Sequence, residues 1–138
     1  MRNFQKTKNR GYIALITVLI VTAVTLMIAI SVNLKSMGES KMSLAKNQSS
    51  KSFYLATACA EDALMKLKDN LDYGGNEILT FTYGTCAILP IEGTGNQDRL
   101  IKAIGYVSDY TRRIKIEISR VNPNMEISSW QEVVEFFQ

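Results

Sequence analysis

From Gly11 to Leu34 the chain runs for 24 residues without a charged side chain. Its centre, Tyr12–Val32, reads YIALITVLIVTAVTLMIAISV and is interrupted only by Thr17, Thr22, Thr25 and Ser31. A bilayer's hydrocarbon core of about 30 Å takes roughly 20 apolar residues as helix, so this segment is long enough to span it. Thr and Ser hydroxyls can bond back to carbonyls of their own helix, and they do not forbid insertion. Burial inside a soluble core is the poorer reading, because a chain of 138 residues has too little else to cover such a helix. A cleavable secretory signal is a poor fit as well. Its apolar core runs about 7–15 residues and ends at an A-x-A-like site, whereas here Asn33-Leu34-Lys35-Ser36-Met37 follows.

Charge is distributed as unevenly as hydropathy. Met1–Arg10 holds Arg2, Lys6, Lys8 and Arg10 and no acid. Beyond it stand 12 cations and 13 acids, a net charge of −1, so the chain's positive balance comes entirely from the first ten residues. Bulk charge therefore gives no reason to expect a nucleic-acid partner. The positive-inside rule places the basic end in the cytoplasm and everything after about Lys35 outside. The chain has no His and only two Cys, 27 positions apart. That removes the commonest general base and zinc ligand and leaves no CxxC pair, so no metal, cofactor or small-molecule substrate is expected. Glu61-Asp62 reads more simply as a solvated helix face than as an acid/base pair. An enzyme is not expected.

No Pro occurs between Tyr12 and Asp69, and the only Gly there is Gly38. The pattern predicts one long helix, with Gly38 as a point where it can bend. Between Glu39 and Ser52 the apolar residues are Met42, Leu44 and Ala45, which suits a solvated stalk or one packed on neighbours. Asn47-Gln48-Ser49 fits the N-glycosylation pattern but reads as a chance match in a polar helix. Phe53, Ala56, Ala60, Leu64, Leu67 and Leu71 then recur at three- and four-residue steps as one apolar stripe. Lys66 and Lys68 suit the helix's negative end, and Asn70 with Gly74-Gly75 terminates it.

Beyond the helix the patterning becomes β. Ile78–Tyr83 and Cys86–Ile91 flank Gly84-Thr85, a hairpin signal. Glu92–Asp98 contains G-x-G without a third Gly or a following helix and reads as a turn. Arg99–Val107 and Thr111–Val121 flank Ser108-Asp109-Tyr110. In the latter run Ile114, Ile116 and Ile118 alternate with Arg113, Lys115 and Glu117, a period-two strand. After the Asn122-Pro123-Asn124 turn, Met125–Phe137 suits a strand better, although Ser129 and Glu132 would serve as a capping box. The fold class is α+β: a long N-terminal helix packed through its Phe53–Leu71 stripe on a small antiparallel meander of four or five strands. Arg112, Arg113 and Lys115 form a basic cluster best read as a strand's solvent face. Trp130, Phe136 and Phe137 suit either core or a contact surface. Cys59 in the helix and Cys86 in the β half, both extracytoplasmic, predict a disulfide. Closing a loop of about 28 residues would stabilise by about 3–4 kcal/mol.

A short basic leader ending in Arg10-Gly11, with the apolar run beginning at Tyr12, resembles the N-terminus of type IV pilins and pseudopilins. The stretch Glu39-Ser-Lys-Met-Ser-Leu-Ala-Lys-Asn47 leads into an Ala-rich run through Ala56, Ala60, Glu61, Ala63 and Leu64. This is similar to the corresponding region of PilX-type minor pilins and extends the resemblance over about the first 65 residues. The resemblance implies cleavage after Gly11 by a prepilin peptidase, with Tyr12 as the N-methylated first mature residue. It also implies assembly with other pilin subunits through the apolar helix, including Ile13, Leu15, Ile16, Leu19, Ile20 and Leu26. The chain then divides into a leader at 1–11, a transmembrane and filament-core helix at 12–34, an extracytoplasmic helical extension at 35–70 and a β-sheet head at 71–138. One position departs from the pattern. Most major pilins carry a Glu at the fifth mature position, thought to neutralise a neighbour's α-amino group, where this chain has Ile16. A buried ammonium without a partner is costly. Either the subunit sits at a tip, with no neighbour above it, or its filament tolerates a neutral residue there. A permanently anchored surface protein whose β domain binds a partner is the competing reading.

Overall fold

The structure, a computed structural model, describes residues 8–136. Arg2 and Lys6 of the leader, and Phe137, lie outside them. Helix α1 runs Lys8–Asp69, followed by β1 (Glu77–Phe81), β2 (Gly84–Ile88), β3 (Gln97–Val107), β4 (Tyr110–Arg120) and β5 (Glu126–Val133). The strands form one antiparallel sheet in the order β1-β2-β3-β4-β5, the meander expected from the patterning. The architecture is α+β. Two compact units divide the chain, Met1–Ser43 and Leu44–Gln138, so the second contains the C-terminal part of α1 together with the sheet.

The stripe on α1 does what its spacing dictates. Ala56, Ala60 and Leu67 are fully buried against the sheet, while Phe53, Leu64 and Leu71 pack at its margin. Cys59 and Ala63 complete the buried face. From the sheet it meets Cys86 and Ile88 of β2, Ile101 and Ala103 of β3, and Ile114, Ile116 and Ile118 of β4. Alternation therefore sends the isoleucines of β4 inward and Arg113, Lys115 and Glu117 to the other face. The three small Ala side chains let the helix and sheet approach closely.

Closest approach falls at Gly105 on β3. A Cβ added there would lie 2.1 Å from the Ser52 carbonyl oxygen and 2.7 Å from the Ala56 nitrogen, so helix backbone rests on strand backbone. Ser52, fully buried, donates its hydroxyl to Gly105 O at 2.7 Å, with Tyr110 O within reach at 3.1 Å. Cys59 and Cys86 form a disulfide with their Cα atoms 6.2 Å apart, fixing the middle of the buried helix face to β2.

Several expectations are corrected. The first hairpin turns at Thr82-Tyr83, not at Gly84-Thr85. Gly84 is instead the first residue of β2, where a Cβ would lie 2.2 Å from Tyr106 O of β3. Its glycine serves a close approach rather than the turn, and Tyr83 leaves the strand. The second strand stops at Ile88 rather than Ile91. Other expectations stand: residues 126–133 are strand, the reading preferred over a capping box at Ser129 and Glu132, and α1 is helical from Lys8 through Gly38 to Asp69.

Substituting Gly105 by Ala should cost about 1–3 kcal/mol, because helix and strand must separate to admit the methyl group. Ser52→Ala, which leaves a buried carbonyl short of a donor, should cost about 1–3 kcal/mol. Chemical denaturation of the full chain in detergent checks both.

Candidate assembly helix and its head

The apolar surface of α1 finds no cover among the described residues of its own unit. Tyr12, Ile13, Leu15, Leu19, Ile20 and Leu26 are each more than half exposed, and Ile16 is half-buried among its helical neighbours. The best 18-residue window has a mean hydropathy of 2.9, and none of it is buried. This helix is long and apolar enough for a single membrane span. Its four hydroxyl interruptions are all internally bonded. Thr17 donates to Ala14 O at 2.8 Å, Thr22 to Leu19 O at 2.9 Å, Thr25 to Thr22 O at 2.9 Å and Ser31 to Met27 O at 2.8 Å. Each hydroxyl thus carries its partner with it into an apolar medium, where an unsatisfied one would cost several kcal/mol by the water-to-hydrocarbon scale.

Gly11 lies in the helix, where an added Cβ would meet nothing within 4 Å. Neither a turn nor close packing requires glycine at this position. Tyr12 beside it is exposed at 66%. Among the described residues nothing of its own unit crowds the position of Gly11.

In the head, β alternation breaks up the basic cluster. Arg112 points to the helix side, its Nε and Nη2 donating to Ser49 Oγ at 2.9 and 2.6 Å, and it pairs with Glu132 at 2.6 Å. Arg113, on the opposite face, donates to Val134 O at 2.8 Å, and Lys115 pairs with Glu117 at 2.7 Å. The three cations serve three local contacts rather than one anion-binding patch. Trp130 is 40% exposed, and Phe136 packs its ring 5.7 Å from Lys102 Nζ. No group of His, Cys, Asp and Glu that could hold a metal ion occurs among the described residues.

Two important residues carry only a faint signature in sequence. Ser52 reads as the last polar residue of the stalk, and nothing local marks it as buried. Gly105, inside a strand pattern, does signal a close backbone approach. Arg99 is likewise buried, with only 4% of its surface exposed, and donates to Leu71 O at 2.7 Å and Gly95 O at 3.0 Å, tying the loop after the helix to the β2–β3 connection.

Where α1 ends, Lys66 bonds Glu77 Oε2 at 2.5 Å and pairs with Asp62 at 2.9 Å, its ammonium 5.6 Å from the Tyr73 ring. The hydrogen bond to Glu77, then that to Asp62, pushes the Lys66 pKa up from its ordinary 10.5. Burial, then the charge of Glu77, pushes the Tyr73 phenol up from 10.0.

Comparison with known proteins yields no matching family model, no matching curated protein and no matching solved structure.

Both shifts act at alkaline pH. With its folded pKa raised, Lys66 stabilises fully below pH 10.5, and this is lost as pH climbs through the folded value. The fold also favours the neutral Tyr73 phenol, so stability falls once pH exceeds 10.0 and the unfolded phenol ionises. The thermal midpoint should be flat from neutral pH to about 9 and decline above 10, and Lys66→Met should decline less steeply. Thermal melts across this pH range check it.

Proposed function

We propose that the chain is a minor pilin or pseudopilin, a structural subunit of a type IV pilus or a type II secretion-like filament. A prepilin peptidase cleaves it after Gly11 on the cytoplasmic side, leaving Tyr12 as the mature N-terminus. Ile13, Leu15, Ile16, Leu19, Ile20 and Leu26 then exchange lipid for the apolar helices of other subunits, while the disulfide-braced head is carried outside the cell. The mechanism is packing, with no bond made or broken beyond the cleavage.

The observation that carries this reading is the apolar surface of α1 after Gly11, exposed along its length and internally satisfied at each hydroxyl. Such a surface suits lipid and a bundle of like helices equally, since neither partner demands hydrogen bonds from it. A glycine that its own fold does not require, at the junction between the basic leader and this surface, fits recognition by an external protease.

Gly11→Val tests the reading in cells. The variant should accumulate at full length in the membrane and vanish from the filament fraction sheared from the cell surface. Equal amounts of variant and wild type in that fraction, or a wild-type chain that never enters it, would contradict the proposal and favour a permanent anchor.

A further inference from the structure

We propose that the lysine-bearing stretch of α1 between the apolar segment and the head binds the acidic far end of the head of a second copy of this chain. The inference rests on the filament reading and names a contact within it.

Residues 35–51 hold Lys35, Lys41, Lys46 and Lys51 against the single acid Glu39, whereas residues 52–138 hold 8 cations and 12 acids. All four lysines are exposed, and among the described residues none makes an ion pair; Lys51 alone has a local partner, the Tyr83 ring at 5.3 Å. The head behaves differently. Its Lys66, Lys102, Arg112, Lys115 and Arg120 are each paired with a carboxylate of the same unit. Six acids of the head are left exposed and without an ion pair among the described residues: Glu61, Asp69, Asp72, Asp98, Asp109 and Glu135. Arg99 gathers three of them, Asp69, Asp72 and Asp98, at one end of the head, because its bonds to Leu71 O and Gly95 O hold the β2–β3 loop against the segment that follows α1.

Within one copy the lysine stretch and these three acids lie far apart. Lys46 and Asp69 lie 23 residues apart on α1, about 35 Å at 1.5 Å per residue. That is several times the screening length of about 8 Å at physiological ionic strength. A second copy displaced by about the same 35 Å along the helix direction brings the two sets of charges together. Single exposed ion pairs are weak, so the contact depends on several forming at once and on salt. The stretch 39–51 offers only Met42, Leu44 and Ala45 as apolar surface, which leaves charge to set the register. Copies that touch cannot each stand alone at a tip, so the contact goes with a shaft that tolerates Ile16.

The test uses the mature chain purified from its native membrane in zwitterionic detergent, with self-association followed by sedimentation. Association should weaken at least about tenfold between roughly 50 and 500 mM salt. Lys41→Glu with Lys46→Glu, and separately Asp69→Lys with Asp72→Lys, should each weaken it about tenfold at low salt, and an equimolar mixture of the two variants should recover wild-type association. All four substituted positions are exposed, so cooperative unfolding of each variant should match the wild type. Salt-insensitive association, variants that associate like the wild type, or a mixture without recovery would overturn the contact. So would variants that lose only binding to vesicles of anionic phospholipid. The N-terminal mass of the same sample separates the two claims: a chain clipped after Gly11 but monomeric overturns the self-contact alone, whereas an unclipped chain removes the filament reading beneath it.

Discussion

An apolar helical surface in water has to be covered, and among the described residues nothing in the same compact unit covers Tyr12–Leu34. This constraint orders everything else. At about 25 cal/mol per Å² of apolar area, leaving such a surface in water is costly enough to force it into lipid, into a bundle of like helices, or into each in turn. The internal bonding of Thr17, Thr22, Thr25 and Ser31 makes both environments acceptable, because no hydroxyl must be stripped of a partner in passing from one to the other.

The head answers a different problem. A sheet built from strands of 5 to 11 residues has a small core, and it gains stability from the helix that follows the stalk. Burial of Ala56, Ala60 and Ala63 brings α1 close, the missing side chain of Gly105 lets the two backbones touch, and Ser52 bonds across the contact. The Cys59–Cys86 bridge closes the same interface covalently. One helix thus carries the apolar segment near its beginning and the core-forming face of the head at its end.

Much of this could be read directly from the residues. The long helix, its stripe and the meander order follow from period and small residues, and the bridge between Cys59 and Cys86 was legible as the pairing of the chain's two cysteines. The misreadings share a cause. Gly84 carries a turn signal in sequence because glycine serves turns and close approaches alike, and only the neighbouring strand distinguishes them. The cluster Arg112, Arg113 and Lys115 looks contiguous along the chain, yet a period of two divides it between opposite faces. Ser52 is chemically indistinguishable from the exposed serines of the stalk, and its burial depends on Gly105, 53 positions away. Local chemistry specified the elements, while pairings between distant residues decided which polar groups became structural.

The most direct measurement is the intact mass of the native protein taken from its own membrane. Removal of residues 1–11 with one methyl group added to Tyr12 is the result this account requires. A chain that still begins at Met1, or one cut near Ser36, would contradict it.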